Sequence, residues 1–245
     1  MKLEGQVAII TGAGRNIGEE MSKLFAAEGA KVAVIDMDQG RADAVAAEIG
    51  DDAMAVVTDI SDSAQVKDMV AAVVGRWGRI DILVNNVAIS DNKTILDITE
   101  AEWNKVMAVT LTGPFLMSKY VAEQMVSQGE GGKIVNVAST SGWRGRPRAI
   151  AYTTAKGGVI NFTRSLAVQL APHNIRVNSI SPNKIGSPVG REDFNPDRPI
   201  ANLKGRAGHP IEAAQAVLFL VSDESEFIVG ENLFVDGGTM AMETT

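Results

Sequence analysis

Short β-rich runs alternate with longer amphipathic segments along nearly the whole chain, and this alternation restricts the fold more than any other feature. The predicted strands are 7–10, 31–35, 53–57, 82–84, 133–137, 176–180 and 233–235. The predicted helices are 17–28, 41–49, 63–77, 100–127, 150–170 and 211–220. Such a pattern is typical of crossover connections, which make neighbouring strands parallel. The sequence therefore predicts an α/β, doubly wound fold with a seven-stranded parallel sheet and helices on both faces.

Right-handed crossovers place the carboxyl ends of parallel strands along one edge of the sheet, where ligands bind in folds of this kind. We therefore expect the functional residues to follow strands. No shift in composition divides the 245 residues, so we expect a single domain that spans 1–245. Residues 181–209 carry four of the eight prolines, and this long irregular segment predicts a substrate loop.

Composition excludes several classes of function. A formal net charge of −7 gives little support for a surface that binds nucleic acid. The absence of cysteine excludes disulfides, thiolate metal sites and a cysteine nucleophile, and the two histidines are too isolated for a metal site. No apolar run approaches the roughly 18 residues of a membrane helix, and the first residues lack the pattern of a secretion signal. We expect a cytoplasmic protein without a metal, nucleic acid or membrane partner.

The first predicted strand ends in a glycine-rich turn that leads into a helical pattern. Glycine lets the backbone approach a pyrophosphate closely, and the amides at a helix N-terminus attract its charge. The spacing of Gly12, Gly14 and Gly18 differs by one residue from the common dinucleotide fingerprint, so the turn alone is compatible with a dinucleotide site or with a turn that binds nothing. The residues of this turn predicted to bind a cofactor are Gly12, Arg15, Asn16, Ile17 and Gly18.

Asp36 follows the second predicted strand. A carboxylate at this position accepts hydrogen bonds from an adenosine ribose and repels a 2′-phosphate, which favours NAD. Arg15 in the glycine turn would attract a 2′-phosphate and favours NADP. We give Asp36 more weight and expect NAD as the cofactor, with NADP less favoured.

Tyr152 and Lys156 lie four residues apart at the start of a strong helical pattern, so they share one face of a helix. A nearby ammonium favours the phenolate form of tyrosine, whose ordinary pKa is about 10, and makes the phenol a usable proton shuttle. Taken alone, the pair is also compatible with an ordinary helix surface.

The combination of motifs resembles the short-chain dehydrogenase/reductase family across nearly the whole chain. The motifs are the glycine turn, Asn85-Asn86 after the fourth strand, Ser139 after the fifth strand, and Tyr152 with Lys156. The family's active serine precedes its tyrosine by 13 residues, as Ser139 precedes Tyr152. The resemblance implies a Rossmann-type fold and an NAD-dependent exchange between a secondary alcohol and a ketone, as in 3-oxoacyl reductases or small-molecule alcohol dehydrogenases. It also implies that Ser139 bonds the substrate oxygen, Tyr152 transfers its proton and Lys156 binds the nicotinamide ribose.

The resemblance implies further cofactor contacts and an assembly. The contacts are Asp59 and Ile60 at the adenine, Asn86 and Ala88 in the floor of the site, and Pro182 and Ile185 near the carboxamide. Residues 229–238 resemble the family's last strand, which commonly takes part in tetramers. We therefore expect a homo-oligomer, with a tetramer as the usual form.

The chain departs from the family's usual residues at four sites, one of which is a dipeptide. Asn16 and Asn183 each replace a glycine, and asparagine enters the left-handed backbone region readily enough to preserve such turns. Val87-Ala88 replaces Ala-Gly and adds bulk to the floor of the cofactor site. Thr110 replaces an asparagine of the catalytic group. We expect Thr110 to keep a water at a backbone carbonyl but to slow turnover.

A cluster of cations is predicted at the entrance to the substrate site. Arginine binds carboxylate and phosphate groups through two parallel hydrogen bonds, so the cluster favours an anionic substrate. Runs of charge are more often solvated surfaces, and that interpretation stays open. The predicted members of the cluster are Arg144, Arg146, Arg148, Lys184, Arg191 and Arg198.

A different class of function is also compatible with the sequence. The departures at Val87, Thr110 and Asn183 would fit a catalytically weak, dinucleotide-binding regulatory protein, which the intact serine, tyrosine and lysine set opposes. A nucleotide-sugar epimerase is disfavoured by the glycine spacing. An enoyl reductase is disfavoured because the lysine lies only four residues after the tyrosine.

Overall fold

A computed structural model describes residues 1–187, 189 and 200–243. In this part of the chain, seven parallel strands form one sheet in the order β3-β2-β1-β4-β5-β6-β7. The strands are β1 (Val7–Thr11), β2 (Lys31–Asp36), β3 (Ala53–Val57), β4 (Ile82–Asn85), β5 (Gly132–Val137), β6 (Ile175–Pro182) and β7 (Asn232–Val235). The predicted seven-stranded parallel sheet is confirmed.

Helices cover both faces of the sheet. They are α1 (Asn16–Ala27), α2 (Gln39–Ile49), α3 (Ser63–Trp77), α4 (Glu100–Met107), α5 (Gly113–Gln128), α6 (Ile150–Leu170) and α7 (Pro210–Val221). One core lies between the sheet and α1, α2 and α7. A second core lies between the sheet and α3, α5 and the last turns of α6. The predicted doubly wound arrangement is therefore confirmed as well.

The β1 strand explains why both faces need helices. Ala8 and Ile10 pack into the core of α1 and α7, whereas Val7 and Ile9 pack into the core of α3 and α5. Successive side chains of a strand point to opposite faces, so a strand without a polar side belongs in the interior of a sheet covered on both faces. All five residues of Val7–Thr11 are buried.

The helix predicted over 100–127 is observed as one helical run that ends at Gln128, but its hydrogen-bonding pattern changes in the middle. A π-helical turn, Ala108–Thr112, separates α4 from α5. Pro114 lacks a backbone N–H, and its ring would clash with the carbonyl of Thr110, four residues earlier. Widening the helix by one residue per turn at this point relieves that clash. The Gly113-Pro114 dipeptide was the signal for this change.

The predicted substrate loop 181–209 begins later than expected, because Ser181 and Pro182 still belong to β6. Ile185 and Gly208 form an isolated bridge, which brings the two described ends of the segment together. Positions 188 and 190–199 lie outside the described residues. Within the described part of the chain, no helix combines the length and apolar character needed to cross a membrane.

Candidate active site

The order of the strands reverses between β1 and β4, and a cleft of about 880 Å³ lies at the carboxyl ends of the strands there. Doubly wound sheets bind their ligands at such a switch point. Residues that follow all seven strands line the cleft, and they include Gly12, Met37, Thr58, Asn86, Ala138, Asn183 and Thr239. The edge of the sheet therefore gathers side chains that are distant in sequence.

The glycine turn after β1 meets a different physical requirement at each glycine. Gly12 has a φ of +61° and lines the cleft. A Cβ on Gly14 would lie 2.7 Å from the Cβ of Arg41. A Cβ on Gly18 would lie 2.1 Å from the carbonyl oxygen of Gly12, so Gly18 allows α1 to pack closely against the turn without lining the cleft. Asn16 has a φ of +55°, as predicted for a residue that replaces a glycine.

The carboxylate of Asp36 lies on the cleft wall at the end of β2. One of its oxygens accepts a hydrogen bond from the Gly14 amide at 3.1 Å. The other accepts from the Asp38 amide at 3.0 Å and from Nη2 of Arg41 at 3.2 Å. Arg41 also lines the cleft, although no motif predicted it. The positive guanidinium of Arg41 lies against the carboxylate of Asp36. Asp36 therefore repels a 2′-phosphate less than an isolated carboxylate would.

Asn86 joins the segment after β4 to the turn after β1. Its Nδ2 donates to the carbonyl oxygens of Thr11 at 3.0 Å and Gly12 at 3.2 Å, and its amide donates to Oγ1 of Thr11 at 2.9 Å. A Cγ atom of Val87 lies 3.1 Å from the position that a Cβ on Gly12 would occupy. The bulk of Val87 is therefore directed against the glycine turn. Val87 and Ala88 both line the cleft.

The remaining residues predicted to contact a cofactor also lie on the cleft wall, namely Arg15, Asn16, Ile17, Asp59, Ile60, Pro182 and Ile185. Asp59 fixes the segment after β3 by accepting from the amide of Ser61 at 2.9 Å and from its hydroxyl at 2.6 Å. The expectation that Asn183 adopts a left-handed conformation is wrong. Lys184 has a φ of +54° instead, so the left-handed position after β6 lies one residue further along the chain.

Ser139, Tyr152 and Lys156 lie on one wall of the cleft. Ser139 follows β5, while Tyr152 and Lys156 lie one turn apart near the start of α6. The Nζ of Lys156 lies 6.0 Å from the ring centroid of Tyr152 and donates a hydrogen bond to the carbonyl oxygen of Val137. All three side chains are buried, as the reacting groups of a site closed to bulk water would be.

Burial governs the protonation of this group. It lowers the pKa of Lys156 from 10.5 to about 7, because a desolvated ammonium is unfavourable. Burial also raises the pKa of Tyr152, against the opposing effects of a hydrogen bond with Ser139 and the positive charge of Arg146. The expectation that Lys156 would lower the pKa of Tyr152 is therefore wrong in this structure. The net shift is upward, and the charge that opposes it belongs to Arg146.

The loop after β4 fixes the start of the helix that carries Tyr152. Ala149 precedes α6 with a φ of +70°, and its side chain has no oxygen with which to cap the helix. Instead, Oδ1 of Asp91 accepts a hydrogen bond from the Tyr152 amide at 3.1 Å, and the carbonyl of Lys93 accepts from the Ala149 amide at 2.8 Å. The sequence analysis missed Asp91, because a helix cap is normally sought in the residue that precedes the helix.

Thr110 is fully buried and does not line the cleft. Its Oγ1 accepts a hydrogen bond from the amide of Ile89 at 3.1 Å and donates to the carbonyl of Ile89 at 3.2 Å. Ile89 itself lines the cleft. Thr110 therefore holds the cleft segment after β4 in place, and the water-binding role expected of it stays a prediction.

The predicted cations do not all reach the cleft. Arg144, Arg146 and Lys184 line it, whereas Arg148 does not. The other two predicted members, Arg191 and Arg198, lie outside the described residues.

Comparison with known proteins relates this site to a family. A family model described as "Enoyl-(Acyl carrier protein) reductase" matches residues 12–240. The chain belongs to the short-chain dehydrogenase/reductase family. Galactitol 2-dehydrogenase of Agrobacterium fabrum is 39% identical over 97% of this chain and 98% of that protein. NAD-dependent glycerol dehydrogenase of Listeria innocua is 37% identical over 95% of this chain and 93% of that protein. A similar solved structure is that of 3-ketoacyl-(acyl-carrier-protein) reductase from Brucella melitensis complexed with NADH. The two chains are 39% identical in sequence, the match covers 96% of this chain and 98% of that one, and the TM-score is 0.89.

This member of the short-chain dehydrogenase/reductase family is an oxidoreductase that acts on CH–OH groups. The predicted interconversion of an alcohol and a ketone is confirmed at that level. A purely regulatory dinucleotide-binding protein is thereby disfavoured. Tyr152 and Lys156 are four residues apart, one turn of α6. This spacing disfavours enoyl-reductase chemistry, although the matching family model is described as an enoyl reductase.

Proposed function

We propose that the protein is an NAD(H)-dependent enzyme that interconverts a secondary alcohol and a ketone, with Tyr152 as the proton-transferring residue. One observation carries the proposal. The wall that bears Ser139, Tyr152 and Lys156 belongs to the same cleft as the glycine turn at Gly12 and the carboxylate of Asp36. A dinucleotide that spans the cleft would therefore present one end to Asp36 and the other to Tyr152.

The residues of the cleft fit a nicotinamide dinucleotide. The volume of about 880 Å³ is typical of cofactor sites. Gly12 leaves the start of α1 open to a close approach by phosphate, and the helix N-terminus favours its negative charge. The carboxylate of Asp36 would accept from the ribose hydroxyls. Bound there, the nicotinamide would supply or accept the hydride.

The protein's own groups would handle the substrate oxygen and its proton. The Ser139 hydroxyl is oriented by accepting from the Ser141 amide at 3.1 Å, and it would donate to the substrate oxygen. In the direction of reduction, Tyr152 would give its proton to the same oxygen, because its raised pKa keeps the phenol protonated at neutral pH. In the direction of oxidation, the phenolate form of Tyr152 would accept that proton, and the raised pKa makes this form scarcer at neutral pH and more abundant in alkaline solution. Lys156 would bind the nicotinamide ribose through Nζ.

Preference for NAD over NADP rests on Asp36. A buried carboxylate at the ribose position opposes a 2′-phosphate, although Arg15 and Arg41 on the same stretch of wall act in the other direction. The named cofactors of two relatives, NAD for the glycerol dehydrogenase and NADH for the 3-ketoacyl reductase, support the proposal.

Calorimetric titration of the purified protein with NADH and with NADPH tests the cofactor site. We expect NADH to bind at least about tenfold more tightly. Tyr152→Phe should keep NADH binding and lower turnover of secondary alcohols by about a hundredfold or more. Failure of both dinucleotides to bind would contradict the proposal, and equal turnover in Tyr152→Phe would contradict its mechanism. Tighter binding of NADPH would mean that Arg15 and Arg41 outweigh Asp36.

We also propose that the protein assembles into a homo-oligomer, with a tetramer as the expected form. Apolar side chains are exposed on and before β7, namely Phe227, Leu233 and Phe234. Exposed apolar clusters of this kind mark association surfaces. Sedimentation equilibrium should give a mass that is a multiple of the 25.9 kDa chain, and a monomer at micromolar concentration would refute the assembly.

A further inference from the structure

Among the described residues, the carboxylates that line the cleft are confined to one end of it, where Arg15 and Arg41 also lie. The carboxylates that line it in the described part of the chain are Asp36 and Asp59, which follow β2 and β3. The wall that carries Ser139 and Tyr152 has arginines instead, Arg144 and Arg146. The reacting end of the cleft is therefore positive, although the whole chain has a net charge of −7.

Arg146 is exposed and lines the same cleft as Tyr152. It lies in the turn that connects the segment after β5 to α6, and its charge acts on the phenol of Tyr152. Within the described residues, neither Arg146 nor Arg144 forms an ion pair with a carboxylate; the arginine pairs found there include those of Arg79 and Arg206. The chain has 30 acidic and 23 basic residues, so acidic partners for arginine are plentiful. Two arginines without such a partner in the cleft wall are therefore unexpected if their role is only to stabilise the fold.

Arg144 is held in place without losing its charge. One of its guanidinium nitrogens donates to the carbonyl oxygens of Met240 and Met242, both at 3.4 Å. Carbonyls orient a guanidinium but do not neutralise it, and these two bonds use at most two of its five N–H donors. Gly145, between the two arginines, has no atom within 4 Å of the position that a Cβ would occupy. The backbone between the two arginines is therefore not enclosed by other groups.

We propose that the substrate carries an oxyanion, a carboxylate or a phosphate, near its carbinol carbon, and that Arg146, supported by Arg144, binds it. The inference rests on the proposed function, since it names the class of alcohol that reaches Tyr152. Guanidinium binds planar carboxylates and phosphate oxygens through paired, charge-assisted hydrogen bonds. An oxyanion held at Arg146 would also orient the neighbouring carbinol oxygen towards Ser139 and Tyr152, which lie on the same wall.

Matched probes separate this inference from the proposed function. The carboxylate arm compares 2- and 3-hydroxybutyrate with their methyl esters, and the phosphate arm compares glycerol 3-phosphate with glycerol, all with NAD as the oxidant. Calorimetry on the NAD-saturated protein compares acetoacetate with methyl acetoacetate, and this comparison needs no turnover. We expect at least one oxyanion probe to exceed its neutral partner by about tenfold or more in kcat/KM or in affinity.

Three variants test the residues. Arg146→Gln and Arg144→Gln should each raise the KM or Kd of the preferred oxyanion probe by about tenfold, with little change for its neutral partner and for NADH. Arg148→Gln is the matched control, because Arg148 belongs to the same segment but does not line the cleft, and it should leave the preference intact.

Three outcomes would overturn the inference: equal values for every matched pair in the wild type, no binding of any oxyanion probe, or a preference that persists in both Arg144→Gln and Arg146→Gln. If NADH still binds and neutral secondary alcohols are still oxidised, the proposed function stands and only the substrate class is wrong. If NADH does not bind, the proposed function itself fails.

Discussion

The carboxylate of Asp91 accepts a hydrogen bond from the backbone amide of Tyr152 at 3.1 Å, although 61 residues separate the two in the sequence. The cap of α6 therefore comes from the loop after β4. We expect Asp91→Ala to lower the free energy of unfolding by about 1 kcal/mol and to lower kcat more than it weakens NADH binding. Urea denaturation and steady-state kinetics with NADH titration would measure the two effects.

Asp97→Ala provides the control for that variant. Asp97 lies in the same loop and accepts a hydrogen bond from the Thr94 hydroxyl at 2.5 Å at the surface, outside the cleft. It should leave kcat unchanged. Equal losses of kcat in the two variants would mean that Asp91 acts on the loop in general rather than on the position of Tyr152.

Gly18→Ala should disrupt the glycine turn. The new Cβ would lie 2.1 Å from the carbonyl oxygen of Gly12, so α1 must move away from the cleft. We expect NADH affinity to fall by at least about tenfold, with a loss of stability of roughly 1–3 kcal/mol from overpacking. Gly75 lies on the exposed face of α3, and no atom lies within 4 Å of the position that its Cβ would occupy. Gly75→Ala should therefore stabilise the protein slightly. Unchanged NADH binding by Gly18→Ala would refute the packing argument.

Asp36→Ser should shift the cofactor preference towards NADPH. Removal of the carboxylate ends its repulsion of a 2′-phosphate and releases Arg41 from its 3.2 Å contact. We expect the ratio of the NADPH and NADH dissociation constants to change by about tenfold or more in favour of NADPH. Asp38→Ser is the control, since Asp38 caps α2 outside the cleft. A ratio that moves equally in both variants would show that general charge, not position, sets the preference.

Lys156 should make stability depend on pH in alkaline solution. The pKa of Lys156 is about 7 in the folded chain, whereas the ordinary value of 10.5 applies in the unfolded chain. Between pH 7 and pH 10.5 the unfolded chain therefore binds one more proton at this residue than the folded chain does. Folded-state stability therefore rises with pH across this window, by up to about 1.4 kcal/mol per pH unit. Urea denaturation at pH 7.5, 8.5 and 9.5 should show this rise in the wild type relative to Lys156→Met. Parallel pH curves for the two proteins would contradict a neutral, buried Lys156.

Thr110 should act through Ile89. Thr110→Val leaves the partly buried amide and carbonyl of Ile89 without their partner, so we expect a loss of about 1 kcal/mol in stability, whereas Thr110→Ser should lose less. Thr110→Asn restores the family's usual residue and should raise turnover. Turnover that is unchanged or lower in Thr110→Asn would refute the expectation that the threonine slows the reaction.

The periodic parts of the fold were predictable because local chemistry and burial agree there. The predicted helix 63–77 has the observed bounds, Ser63–Trp77. Asp62 accepts from the first amides of this helix, and Gly78 ends it with a φ of +77°. Both signals are local, so the sequence displays them directly.

The contacts that complete the site were not predictable in this way. Asp91 meets Tyr152 only after strands and helices have packed. Arg41 lies just five residues after Asp36, but their contact depends on the exact path of the turn between β2 and α2, which no motif displays. The direction of the pKa shift of Tyr152 likewise depends on burial and on Arg146, neither of which follows from a four-residue spacing. Motif spacing predicted Ser139, Tyr152 and Lys156 as the reacting residues, but their surroundings depend on tertiary structure.

The contacts of Arg144 with the carbonyls of Met240 and Met242 have a practical consequence for protein engineering. A purification tag or fusion partner attached after position 243 would disturb Met240 and Met242, whose carbonyls orient Arg144. One attached before Lys2 would extend from a position whose amide is bonded to Glu28, away from the cleft. Fusions at the two ends should therefore differ in substrate KM while sharing the same affinity for NADH.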